Sequence, residues 1–98
     1  MDIVHIATGI ATAAQGNARY NTGEKHSAMI FVKAVNETDA IKKIDTAMFD
    51  AFWMLSIEKM GTLPDAVHKP ESTDPLEIAL NTALDDGCGV VIYSEIEE

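Results

Sequence analysis

The chain has 98 residues, 47% of them apolar and 23% charged, with a formal net charge of −9 and one cysteine, Cys88. This is the length of a single domain, 1–98, able to bury roughly two thirds of its unfolded surface around one core. Such a composition excludes wholesale disorder, and one cysteine excludes an internal disulfide framework. No apolar run approaches the ~20 residues of a membrane helix. The start, Met1-Asp2-Ile3-Val4, lacks the positive region of a secretory signal. A reducing, cytoplasmic setting is therefore expected.

Residues 3–14 read as a strand in which Val4, Ile6, Thr8, Ile10 and Thr12 share one face by period two. Gly9 within it marks a bulge or a close approach. Residues 15–25 hold two Gly and two Asn, the chemistry of a long hairpin loop. Residues 26–35 form a second strand, apolar on both faces as far as Lys33 and hence central to its sheet. A helix is predicted over 37–60, capped by Asn36 with Glu37 and Asp39 in its first turn, and ended by Gly61. Ile41, Ile44, Met48, Ala51, Phe52 and Leu55 form its core stripe. Phe49, Trp53, Ile57 and Met60 form a second stripe, about 150° away at ~100° per residue. Two readings of that stripe stand: cover by segment 62–73 or the next helix, or an interface with a partner or second copy.

Pro64 and Pro70 keep segment 62–73 from being helical. Asp74-Pro75-Leu76-Glu77 then has the form of a capping box. Leu76, Ala79, Leu80, Ala83 and Leu84 follow at helical spacing, and Gly87 ends the helix. Residues 89–96, led by Val90-Val91-Ile92-Tyr93, form the last strand. The predicted fold is α+β in the order β-β-α-α-β, an antiparallel sheet of about three strands with both helices on one face.

Charge is unevenly spread. Residues 1–60 hold seven acids against six bases, whereas residues 61–98 hold nine acids against Lys69 alone. Such a field disfavours direct binding of nucleic acid or an anionic membrane and favours a basic partner; the plain alternative is that acidity serves solubility. None of His5, His26 and His68 stands at ligand spacing from another His or from Cys88, so no metal site is predicted. Cys88 follows a helix C-terminus, where the partial negative charge works against a thiolate. Ser27, Ser56, Ser72 and Ser94 lie in no nucleophile elbow, and no phosphate-binding glycine loop occurs. The chain is read as non-enzymatic, with no catalytic residue and no cofactor.

Candidate partner contacts are Asp74, Glu77, Asp85 and Asp86 around the second helix, with Glu95, Glu97 and Glu98 on the tail. Phe49, Trp53 and Ile57, together with Arg19 and Tyr20 of the basic-aromatic hairpin loop, form a second candidate interface. In size, acidity and element order the chain resembles the phage-encoded anti-CRISPR proteins, particularly those that block type I surveillance complexes. The likeness spans the whole chain but is architectural and compositional, without a motif, so no functional residue is transferred. It implies a stoichiometric inhibitor in the host cytosol, monomeric or homodimeric, that binds a basic, nucleic-acid-binding protein complex as a DNA mimic. An immunity protein against a basic toxin nuclease would use the same electrostatics. A small structural or regulatory subunit dimerising through Phe49, Trp53 and Ile57 is a third class.

Overall fold

A computed structural model describes residues 2–69 and 71–96, with the side chains of 94–96 left aside. Six elements follow in order: β1 (Ile3–Ala13), β2 (Lys25–Ala34), α1 (Glu37–Asp50), β3 (Trp53–Leu63), α2 (Pro75–Asp86) and β4 (Cys88–Ile96). The strands form one sheet in the order β3-β1-β2-β4, with every neighbouring pair antiparallel. The α+β class, the central place of β2 and the span of α2 agree with the sequence reading. The element order does not, because a strand, β3, stands between the two helices.

The predicted helix 37–60 is therefore two elements. Its start is as expected: Asn36 accepts a hydrogen bond from the Asp39 amide at 2.8 Å. Asp39 in turn accepts from the Val35 amide and pairs with Lys43 at 3.2 Å. The Val35 N–H first, then Lys43, hold the Asp39 carboxyl below its usual range. The helix stops at Asp50, not at Gly61, which lies within β3. The stop is Phe52, whose φ of 64° is in the left-handed region that favours glycine. From Trp53 onward the chain pairs with β1, and Trp53, Leu55 and Ile57 alternate inward.

The helices lie on opposite faces of the sheet, not on one. On the first face α1 buries Ala40, Ile44 and Met48 against Ala7, Ala11, Ile30, Val32 and Trp53. On the second, Ala79 and Ala83 of α2 pack on Val4 and Phe31, flanked by Ile6, Met29, Leu63 and Val91. The connections are consistent with this. β2 and β3 flank β1, so α1 crosses β1 on one face, whereas β3 and β4 are the two edges, so α2 spans the sheet on the other. Two glycines permit the close packing. A Cβ on Gly9 would stand 2.0 Å from the Ser56 carbonyl oxygen, beside the register shift between β1 and β3. A Cβ on Gly89 would stand 1.9 Å from the Ala79 carbonyl oxygen, where α2 crosses β4. On β1 the even-numbered residues were the expected apolar face, yet the most buried are Ala7, Ala11 and Ala13 opposite them.

Candidate partner-binding surfaces

The acids of α2 stand in two situations. Asp74 caps the helix by accepting from the Leu76 amide at 2.9 Å. Glu77 does not close the box directly. Ser72 relays it, accepting from the Asp74 amide at 3.1 Å and donating to Glu77 at 2.7 Å. Glu77, Asn81 and Asp85 are spaced one turn apart on a single stripe. All three grip the segment that precedes the helix: Glu77 pairs with Lys69 at 2.9 Å, Asn81 exchanges two 2.7 Å bonds with the Lys69 backbone, and Asp85 meets His68 at 3.0 Å. Glu77 and Asp85 are thus fasteners, while Asp86 and Asp74 stand exposed at the two ends of the helix. Glu95 lies on β4 with its side chain undescribed, and Glu97 and Glu98 lie outside the described residues.

The Lys69 ammonium first, then the Ser72 hydroxyl, hold the Glu77 carboxyl below its ordinary 4.5. A carboxyl whose folded pKa is depressed adds stability above its unfolded value, and that stability is lost as pH falls through the folded value. We expect the acid limb of the stability curve below pH 4.5 to flatten in Glu77→Gln, with lower stability at neutral pH. Urea midpoints across the pH range measure both effects. An unchanged acid limb would place the titration elsewhere.

The second candidate interface is not one surface. Trp53 is buried, 8% exposed, at the start of β3. Its cover is the hairpin loop rather than segment 62–73: Tyr20 lies 5.3 Å from the Trp53 ring and 4.4 Å from His26, which meets Trp53 edge-on at 5.9 Å. His26 is buried and donates from Nδ1 to the Tyr93 carbonyl at 2.8 Å, which leaves Nε2 facing Glu24 at 3.6 Å. Ile57 is half-buried against the same core. Phe49 points away from it, 77% exposed on the last turn of α1. No stripe joins Phe49, Trp53 and Ile57, because the helix that would align them ends between the first and second.

Beside this cluster is a groove of about 610 Å³ lined by residues 16–20, Ala51, Phe52, Trp53, Val90 and Ile92. Among the described residues Arg19 is the one charged member of its lining. Phe52, half exposed, is held in its strained conformation by two bonds to its carbonyl, from the Ala14 amide at 2.9 Å and Asn17 Nδ2 at 3.1 Å. On the other side of β4 a second groove, about 440 Å³, runs between that strand and Pro75, Ile78, Ala79 and Thr82 of α2. Val90 and Ile92 line both. The sequence reading missed Phe52, Ile78 and Val90 as exposed residues, since periodicity assigns apolar side chains to a core and carries no sign of where the sheet ends.

Among the described residues, no three His, Cys, Asp or Glu side chains gather where they could hold a metal ion, and no helix is long and apolar enough to cross a membrane. Burial raises the Cys88 thiol pKa, the same direction as the effect expected of the helix end. Comparison with protein families, with curated proteins and with solved structures finds no match to this chain.

Proposed function

We propose that this protein is a non-enzymatic binding module whose acidic α2 layer docks on a basic, nucleic-acid-binding protein and competes with nucleic acid for it. The observation that carries this reading is the placement of the helices on opposite faces. It gathers the six acids and one base of residues 64–87 onto one side of the sheet. That base, Lys69, is neutralised by Glu77, and Asp65, Glu71, Asp74 and Asp86 remain exposed around it. The α1 helix on the other face carries four acids and two bases, so the field is directional. A rigid acidic layer can meet the Lys and Arg of a groove built for phosphates. The likeness to anti-CRISPR proteins now rests on size and acidity, since the element order differs. A type I surveillance complex is the form of partner that likeness implies.

Charge reversal tests the reading. Glu71→Lys with Asp86→Lys, both on exposed positions, should leave thermal stability within about 0.5 kcal/mol. The double variant should lose capture of the partner from a host lysate, and the wild-type complex should weaken with salt as the Debye length falls below ~8 Å. Labelled duplex DNA on the captured partner gives the decisive measurement. If that partner binds DNA equally with and without this protein, competition is excluded.

A further inference from the structure

We propose that the outer edge of β4 is a strand-addition site, which takes an extended segment of the partner in which apolar residues alternate with Lys or Arg. This rests on the proposed acidic docking function and names the surface that would read sequence within it.

The two sheet edges differ in how they are protected. Open edges offer unpaired N–H and C=O groups to any extended chain, and proteins blunt them with charges and bulges. On β3 both devices are present: Glu58 and Lys59 sit mid-strand, at the register shift opposite Thr8 and Gly9. On β4 both come late, with the register shift against β2 beyond Ile92 and Glu95 after it in the sequence, so the run from Cys88 to Ile92 has no charge and pairs regularly with β2. No described strand lies beyond it. Val90 is 40% exposed there, and Ile78 of α2, 48% exposed, overhangs from the second face.

The two grooves complete the site. A strand added beside β4 would send alternate side chains to opposite faces. One set enters the groove of Phe52, Tyr20 and Ile92, which Asn17 and the cation Arg19 also line, so that set carries no positive charge. The other set runs along Ile78 and Thr82 toward Asp86, one turn further on the same stripe of α2, so its long cationic side chains lay their stems on Ile78 and reach Asp86. Charge decides against a second copy as the occupant. Antiparallel pairing of two β4 strands about Val91 would set Glu95 of one copy opposite Gly87 of the other, next to Asp86 in the chain, so acids would approach acids at both ends of the pair.

The probe is a seven-residue peptide alternating lysine and valine, with two controls: the same peptide with its central valine replaced by proline, and one alternating glutamate and valine. We expect the first to bind and to slow hydrogen exchange of β4 amides. The proline control should bind at least about tenfold more weakly, because it cannot complete the ladder. Val90→Lys and Ile78→Lys, both on exposed positions, should weaken the first peptide to a similar extent while melting with wild type. Equal binding of the lysine and proline peptides, with no β4 protection, would overturn strand addition and leave the acidic layer as the docking surface. No binding by either lysine peptide would overturn the site. The DNA competition above stands or falls separately, on the partner itself. A dimer that protects β4 without peptide would assign the edge to a second copy.

Discussion

Trp53→Ala is expected to lower the unfolding free energy by roughly 3–5 kcal/mol, the range for truncating a large buried aromatic. The setting favours the upper part of that range. Trp53 stands among small side chains, with Ala7, Ala11, Ala13, Ala28, Ala34 and Ala40 all in the same cluster, and none of them can expand into the vacated volume. Tyr20 and His26 would lose a ring partner each, and Tyr20, with Asn17, holds the hairpin loop on the first face. A loss of that size is a large part of the ~5–15 kcal/mol that holds a domain together. At ~4–8 °C per kcal/mol for domains of this size, the melting temperature should fall by more than ~12 °C. Phe49→Ala, four residues earlier, should shift stability by no more than about 0.5 kcal/mol. Far-ultraviolet circular dichroism melts of the two variants make the comparison, since fluorescence is lost with the only tryptophan. Equal melts would place Trp53 on a surface, and weakened self-association in sedimentation would then make it an interface.

That contrast also shows why β3 was hidden in the sequence. Phe49, Trp53 and Ile57 are four apart, which suits one face of a helix, yet Trp53, Leu55 and Ile57 are two apart, which suits one face of a strand. A four-residue spacing belongs to both patterns, so the decision falls to punctuation between them. Here the punctuation is Phe52, an L-residue at φ 64°, where the ordinary signal is Gly or Asn. The Asn36 and Asp74 caps were legible because each is completed within three residues. The fasteners of α2 were not, since Asp85 meets His68 across 17 positions, a distance on which local pattern is silent. With β3 at the far edge α2 must span the sheet, so losing β3 left the two helices adjacent in the chain and hid their opposite facing. The acidity of the second half survives these corrections, and the facing of α2 puts the acids of residues 64–87 on one side of the sheet.

The second large effect is expected at Gly89→Ala. The added methyl would meet backbone: 1.9 Å from the Ala79 carbonyl oxygen, 2.7 Å from its carbon and 3.0 Å from its Cα. A side chain in the way could rotate, but a helix backbone must move as a unit. To restore ordinary van der Waals distance, α2 must lift from β4 by more than an ångström, which opens the contact of Ala79 and Ala83 with Val4 and Phe31. Overpacking in cores costs about 1–3 kcal/mol and occasionally more; with no soft neighbour to yield, the top of that range or beyond is expected. Gly61→Ala is the matched control, because its Cβ would find only Ile6 Cγ2 at 3.9 Å. It should unfold at the wild-type urea concentration or slightly above, as a strand alanine replaces a glycine. The G89A variant has a second readout. Lifting α2 widens the groove between Ile78 and Val90 while leaving Phe52 and Ile92 in place on the other face. At temperatures where G89A is still folded, the peptide alternating lysine and valine should bind it more weakly even though no acid has changed. If instead G89A melts with G61A and binds the peptide as wild type does, α2 does not cross β4 at this distance, and the groove proposed to read the partner's side chains loses one of its walls.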